Sequence, residues 1–342
     1  MTDSPIVSVI TLTYNQEGFL PQCVDSVLAQ TFASWEQVII DDESTDGTAE
    51  VLARYADPRL RVIRQPHEGA ERLPQTYQKA LAMCRGSFIG FVDGDDYWSH
   101  DQLATLLPAF DDPDVVLAFG PTRLFGNLSP DDPPTIPTPD FYTRFPRGAL
   151  FNTPMGAATR AMLDPHALTF PYPVSVLIRR SALDRIGGLV TYPGLPVIDY
   201  PTLLHLTLEG RFHYVDQTMG FWRVHGRSTT NRRLDSILAG VYSFIQQFRR
   251  TQAARLNLTA AEWQDLDRMW DEFHIGRGRM ALENHLWKEA RSQFLRPARK
   301  GSSRELRAVA LAGITASFLR RDLSSNLEWI FRRRVSRLLG RS

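Results

Sequence analysis

The sequence predicts an α/β fold: a mostly parallel sheet flanked by helices, followed by a helical C-terminal region. Three observations carry that expectation. Short apolar, β-branched runs alternate with amphipathic stretches through the first 120 residues, and such alternation with short connections builds βαβ units. Two acidic clusters, Asp41-Asp42-Glu43 and Asp93-Gly94-Asp95-Asp96, directly follow two of those apolar runs. From about Arg233 onward Gly and Pro become scarce and helical periodicity takes over.

The elements follow in order. Ile6 to Leu12 is a β-branched run suited to a buried strand. After a polar loop, Phe19, Cys23 and Val27 share one helical stripe, with Leu20, Val24 and Leu28 beside it. Trp35 to Ile40 is a second strand, ending in turn and cap residues before the helical TAEVLARYA. Leu60 to Arg64 and Ser87 to Val92 are strands three and four, separated by a helix over Leu73 to Cys84. A helix over Asp101 to Phe110 and a strand over Asp114 to Phe119 complete the alternation.

Bulk properties exclude several classes. The 342 residues are 43% hydrophobic and 23% charged, an ordinary globular balance. A net charge of +1 gives no general pull toward nucleic acid. Cys23 and Cys84 sit among apolar residues, so they read as reduced core thiols. The N-terminus lacks a basic, then apolar, leader pattern, and no apolar run approaches the roughly 20 residues needed to span a bilayer. The expected location is the cytoplasm.

Ligands of parallel sheets bind at the carboxyl ends of strands, where topology places both acidic clusters. Paired carboxylates suit a hard divalent cation, Mg²⁺ or Mn²⁺, which takes one or two of them plus phosphate oxygens. Asp93 and Asp95 flank a glycine that lets the backbone bend and both side chains face one pocket. The plainer alternative is a solvated turn capping the next helix. Asp42 has the same two readings: a turn residue, or an acceptor-only carboxylate that meets a base or ribose.

Thr13-Tyr14-Asn15, Asp41-Asp42-Glu43-Ser44-Thr45-Asp46-Gly47-Thr48 and Asp93-Gly94-Asp95-Asp96, in that order, resemble the motifs of family 2 glycosyltransferases of the GT-A fold. The likeness is close over residues 5–120 and looser to about 230. It implies a catalytic domain over 1–230, its first 120 residues binding the nucleotide-sugar and residues 121–230 holding acceptor and base. Residues 231–342 form the helical region. By position, the resemblance puts Thr13, Tyr14 and Glu17 at the nucleotide pocket and Asp42 at the base, commonly uracil. It puts Asp93 and Gly94 near the donor ribose and phosphates, and Asp95, with Asp93, on the metal. Many relatives carry Ala-Arg-Asn in the helix before the DxD strand; here Tyr77 and Gln78 stand there, and Arg72 or Lys79 are the cations at hand.

In the second half, Gly126 to Pro139 is a Pro- and Asp-rich loop, and order returns only after about Leu163. Such a long loop reads as an acceptor-side flap or a bland surface excursion. The stretch VIDYPTLLHL resembles the family's second signature, in which an acidic residue before an aromatic is the base. Asp199, before Tyr200, matches; Ile198 replaces the frequent Glu, and Asp199 also suits a helix N-cap. The resemblance brings His225, in Trp222-Arg223-Val224-His225-Gly226, near metal or diphosphate; a lone His is also an ordinary structural hydrogen-bonder. His205 and His213 read as structural.

The C-terminal third holds a capping box at Thr259 and Glu262, a break from Pro297 to Ser303, and two further helices. The last, Leu323 to Leu339, is amphipathic and basic, with Arg332, Arg333 and Arg334. It suits peripheral contact with an anionic membrane or packing on the protein. The family implies an inverting transfer from a nucleotide-diphosphate sugar, UDP favoured, to a glycan or lipid-linked acceptor in polysaccharide or glycoconjugate synthesis. The alternative is a non-catalytic nucleotide-sugar or glycan binder with a degenerate site. A nucleotidyltransferase would need a Gly-rich loop where Thr13 to Gly18 stand, and a dehydrogenase a GxGxxG; neither is present.

Overall fold

All seven residues of β1 (Val7–Thr13) are buried, and so are all seven of β2 (Trp35–Asp41). Strands covered on both faces belong inside a sheet that carries helices on each side. The computed structural model describes residues 4–127, 157–163, 165, 171–226, 229–256, 258–300 and 303–320. Its further strands are β3 (Leu60–Arg64), β4 (Phe88–Phe91), β5 (Tyr97–Trp98), β6 (Val115–Phe119), β7 (Thr122–Gly126), β8 (Val176–Arg179), β9 (Arg211–Tyr214) and β10 (Gly220–Val224).

Seven of them form one sheet in the order β3-β2-β1-β4-β8-β6-β9. β1 pairs in parallel with β2 and β4, β2 with β3, and β6 with β9. Only β8 runs antiparallel, wedged between β4 and β6. β1 and β2 pair in full register, Val7 with Trp35 through Thr13 with Asp41, so both strands end at one edge. A second, three-stranded sheet has the order β5-β10-β7. Its β5 directly follows the 93–96 turn, and β10 meets that turn where Arg223 N donates to Asp96 Oδ1 at 2.8 Å.

The helices are α1 (Leu20–Leu28), α2 (Thr48–Leu52), α3 (Leu73–Met83), α4 (Gln102–Leu106), α5 (Ala157–Leu163), α6 (Arg180–Arg185), α7 (Asp199–Leu206), α8 (Thr229–Leu256), α9 (Ala260–Glu283), α10 (Trp287–Lys300) and α11 (Arg304–Leu319). The core under the first sheet is apolar and dense: Val7, Val9, Leu20, Val24, Val27, Ile39, Leu103 and Leu177 are fully covered. Cys23 and Cys84 are buried and unpaired with each other, as core thiols.

The chain divides into two compact units, Met1–Met162 with Ala167–Leu256, and Leu163–His166 with Asn257–Ser342. Compactness thus places the division at Leu256 rather than near residue 230. The reason is α8: Phe244 packs edge-on to Tyr192 and Tyr200, and Phe248 to His205, all in the first unit.

The second unit is built from α9 to α11. Thr259 caps α9 as the sequence predicts: its hydroxyl accepts from Glu262 N at 3.3 Å, and Glu262 Oε2 accepts from Thr259 N at 2.8 Å. Phe294 on α10 is fully buried. A Cβ at Gly278 on α9 would approach its ring to 2.7 Å, and one at Gly313 on α11 to 2.5 Å. Both glycines therefore make room for one aromatic side chain. The break predicted from Pro297 to Ser303 comes later than its start: α10 runs through Pro297 to Lys300, and the next helix begins at Arg304, capped by Ser303, whose hydroxyl accepts from Leu306 N at 3.2 Å. No helix among the described residues is long and apolar enough to cross a membrane. The Pro-rich stretch after residue 127 and the basic 323–339 helix lie outside the described residues.

Candidate active site

A cleft of about 670 Å³ opens at the carboxyl ends of β1, β2 and β4. Thr13, Tyr14, Asp42, Asp93, Asp95, Asp199 and His225 all line it. The fold thus brings together residues 212 positions apart, from Thr13 to His225. Glu17 is not among the lining residues. It is exposed, and its Oε2 takes the N–H of Gly47 at 2.7 Å, at the start of α2. Gly94 serves the cleft from behind. A Cβ there would meet Gln16 Oε1 at 2.4 Å and Thr13 Oγ1 at 2.9 Å, so a larger residue would push the turn out of place.

The 93–96 turn is short of positive charge. Asp93 accepts from the phenol of Tyr77 on α3. Burial, and then the charge of Asp95, push the Asp93 carboxyl up to about 7. Asp96 is driven up by the same two causes, burial first; it accepts from Arg223 N at 2.8 Å on β10. Asp95 Oδ2 lies 2.8 Å from His225 Nε2. Two neighbouring oxygens, Thr13 Oγ1 and Gln16 Oε1, are buried with no hydrogen-bond partner among the described residues.

This is an oxygen-rich corner with uncompensated negative charge, and a hard divalent cation fits that donor chemistry. Among the described residues no three acidic, histidine or cysteine side chains converge into a complete ligand set.

Arg223 escaped the sequence reading, which singled out only His225 in the same segment. Its Nε donates to the backbone oxygen of Asp95 at 2.8 Å, and its terminal nitrogen to Gln22 Oε1 at 2.5 Å. The guanidinium lies over the rings of Phe19 and Phe125, at 4.6 and 4.3 Å. It holds the turn by its backbone, which explains why a cation so near leaves the carboxylates short of charge. Lys79 does not stand in for the family's arginine: its ammonium goes to Glu68 Oε1 at 2.5 Å.

The Asp41–Asp46 cluster is the opposite case. Asp41 Oδ1 accepts from Ser44 N at 3.0 Å and Ser44 Oγ at 2.5 Å. Glu43 Oε2 accepts from His67 N at 3.0 Å. Asp42 accepts from Gln65 Nε2 at 2.7 Å and from the N–H groups of Glu68 and Gly69 at 3.0 Å each. Burial pushes Asp42 up, but these donors and the nearby His67 outweigh it and hold the carboxyl below its ordinary value. His67, which no motif flagged, stacks on Tyr14 with ring centroids 4.3 Å apart.

Asp199 is the first residue of α7, on the cleft wall. Its Oδ1 accepts from Tyr200 N at 2.8 Å. Burial raises its pKa, and the Tyr200 N–H opposes only part of that rise. A carboxylate tuned upward in this way is a stronger base than one in water. Tyr200 is fixed by a hydrogen bond from its phenol to Met162 O. His205 is partly buried, with Nδ1 2.9 Å from Pro201 O, in a structural role.

The model of glycosyl transferase family 2 matches residues 8–187, more than half of the chain. WfgD of Escherichia coli, a UDP-Glc:α-D-GlcNAc-diphosphoundecaprenol β-1,3-glucosyltransferase, is 30% identical over 127 residues, 37% of this chain and 49% of WfgD. The chain spans about a quarter to a half of the length of the first curated relatives it matches. Among solved structures, TarS 1-349 of S. aureus with UDP-GlcNAc aligns at TM-score 0.54 and 18% identity, over 91% of this chain and 90% of that one. The mannosyltransferase PcManGT of Pyrobaculum calidifontis, with GDP-Man and Mn²⁺, aligns at TM-score 0.55 and 20% identity, over 100% and 89%. At these identities the structures speak to the fold. With the matched family model, they assign this chain to glycosyl transferase family 2, with a GT-A fold.

Proposed function

We propose that the chain is a metal-dependent, inverting glycosyltransferase. It moves a sugar from a nucleotide-diphosphate donor, UDP-linked by preference, to a hydroxyl of a glycan or lipid-linked acceptor in polysaccharide or glycoconjugate synthesis. One observation carries this reading: Asp93, Asp95 and Asp199 line a single cleft at the strand ends of a family 2 fold. The name of the relative WfgD, which takes a diphosphoundecaprenol-linked acceptor, supports the acceptor class. The first compact unit is the catalytic one on this reading.

Thr13, Tyr14 and Gly94 shape the nucleotide side, with Asp42 behind them. Asp95, with Asp93, would hold Mn²⁺ or Mg²⁺, and His225 stands beside Asp95 Oδ2 at 2.8 Å. Such a cation supplies charge neutralisation for the departing nucleoside diphosphate. Tyr77 keeps Asp93 oriented by its hydrogen bond. Asp199 accepts the proton of the acceptor hydroxyl as that oxygen bonds to the anomeric carbon. The bond from that carbon to the diphosphate oxygen breaks on the opposite face, and configuration inverts. The transition state has oxocarbenium character, as in glycoside hydrolysis.

The test is release of nucleoside diphosphate from a panel of sugar nucleotides with Mn²⁺ and extracted acceptor glycolipids. Asp199→Asn should lower turnover about 10²–10⁴-fold while nucleotide affinity stays within a factor of two or so of wild type. Unchanged turnover in Asp199→Asn would remove that residue as the base.

A further inference from the structure

Two neighbouring residues of α3 reach opposite walls of the cleft. Tyr77 donates its phenol to Asp93, in the 93–96 turn. Gln78 donates its amide Nε2 to the backbone oxygen of Leu189. Leu189 lies in the segment that leads into α7 and, like Pro196, Val197 and Ile198 after it, lines the cleft. Gln78 itself is not among the lining residues. The resemblance marks position 78 as a departure and leaves it without a role.

The segment before α7 is tied from outside. α6 ends at Arg185, and its last turn is closed by Gly187 N on Asp184 O at 3.1 Å and Gly188 N on Leu183 O at 2.8 Å. Both glycines are left-handed, with φ of 84° and 95°, so the chain leaves the helix by a turn that regular structure does not continue. Side chains hold the next two residues. Leu189 O accepts from Gln78, and Val190 N donates to Thr202 Oγ1 at 2.8 Å. The amide of Gln78 also covers Gly188, where a Cβ would meet its Oε1 at 3.1 Å. Thr202 is buried on α7, and its own N–H bonds to Ile198 O at 3.1 Å. Residues three apart share one face of a helix, so Thr202 stands one turn behind Asp199, the first residue of α7. Further along, Tyr192 packs edge-on to Phe244 of α8, which holds the tip of the segment and leaves its start to Gln78 and Thr202.

We infer that Gln78 is a positioning residue for Asp199: it fixes the backbone at Leu189 and Val190, which through Thr202 fixes the start of α7 and the place of the carboxylate in the cleft. This rests on the reading of Asp199 as the base. α3 is then a brace with two arms, Tyr77 on Asp93 and Gln78 on the approach to Asp199, and one helix sets the separation of the two carboxylates. Base catalysis needs such control. The acceptor oxygen has to meet the carboxylate at about 2.6–3.2 Å while it faces the anomeric carbon, and a misplacement of about 1 Å lowers the rate on the order of 10²-fold.

The experiment compares wild type, Gln78→Met, Thr202→Val and Asp199→Asn, and combines each of the first two variants with Asp199→Asn. Release of nucleoside diphosphate is followed with Mn²⁺, acceptor extract and whichever of UDP-glucose, UDP-GlcNAc and GDP-mannose the wild type turns over fastest. Methionine keeps the length of glutamine without a donor, and valine keeps the shape of threonine without the hydroxyl. Turnover is taken per site counted by calorimetric titration of the matching nucleoside diphosphate, so a smaller folded fraction does not alter it. Each single variant should lower kcat about 10–100-fold while the donor KM stays within about twofold. In the Asp199→Asn background the same change should lower kcat by less than about twofold, because a residue that acts through the base has nothing left to position. Wild-type kcat in Gln78→Met overturns the inference. So does a loss confined to KM, or an equal loss in both backgrounds, which a merely structural role would give. If Gln78→Met fails to fold, Thr202→Val and its combination with Asp199→Asn decide by the same criteria. If Asp199→Asn turns over as wild type does, or wild type turns over no donor, the proposed function falls first and takes this inference with it.

Discussion

Two acidic clusters stand at the same sheet edge, and their electrostatics are opposite. The first, Asp41 to Asp46, is closed: Asp41 is answered by Ser44, Asp42 by the 65–69 loop, and Asp46 by Thr48 and the backbone of Glu17. The second, Asp93 to Asp96, is open: burial and mutual repulsion push Asp93 up to about 7, and Asp96 rises with it. The same residue type after the same kind of strand thus does two jobs. A satisfied carboxylate organises a loop. An unsatisfied one keeps a place for positive charge, and stability is given up at that point.

The contrast is open to breaking from either side. The largest expected effect concerns the clamp on the open cluster. Arg223→Met removes the donor to Asp95 O and the bond to Gln22 while keeping an apolar stem between Phe19 and Phe125. Metal affinity should fall about 10–100-fold, the usual cost of losing an orienting partner, and Arg223→Lys should recover part of it. Equal metal affinity in wild type and Arg223→Met would detach β10 from the site.

Next comes the closed cluster. Asp42→Asn places an amide N–H against donors, and the metal-free protein should lose about 1–3 kcal/mol in chemical denaturation at pH 7. Asp93→Asn should do the reverse and stabilise the metal-free protein at that pH. The pH dependence gives the finest distinction. Asp42 has its folded pKa below 3.8, so its contribution is present above about pH 4 and is lost as pH falls through the folded value. Asp93 has a folded pKa of about 7 against 3.8 unfolded. Its cost is absent below about pH 4 and grows as pH rises to about 7, by at most about 1.4 kcal/mol per unit. The stability gap between Asp93→Asn and wild type should therefore widen from pH 4 to 7, measured in EDTA. A gap that stays constant would mean that Asp93 titrates normally.

Much of the fold was legible because the first half of the chain is locally consistent. β1 and β2 carry β-branched apolar runs bounded by turn residues and are buried throughout, and topology alone brings Asp42 and Asp93 to one edge. The antiparallel insertion of β8 was not legible, since VLIR reads the same in either direction. Nor was α10's passage through Pro297, where tertiary packing around Phe294 overrides a local breaker. In the site, motif spacing carried Asp93, Asp95 and Asp199 to the cleft. Glu17 stands off the lining, its carboxylate taking the N–H of Gly47 before α2. Motif spacing missed His67 and Arg223, because each acts through partners 24 and 128 residues away in sequence, Glu43 and Asp95. Such distance leaves no periodic trace.

The central claim is that the open cluster needs a divalent cation that is held jointly with the donor's diphosphate. The most direct measurement is titration of UDP into wild type and Asp95→Asn, each with Mn²⁺ and with EDTA. Wild type should bind UDP at least about tenfold more tightly with Mn²⁺ than with EDTA, and Asp95→Asn should show the weak affinity in both. Equal affinity of wild type with and without Mn²⁺, or full Mn²⁺ dependence in Asp95→Asn, would contradict the account.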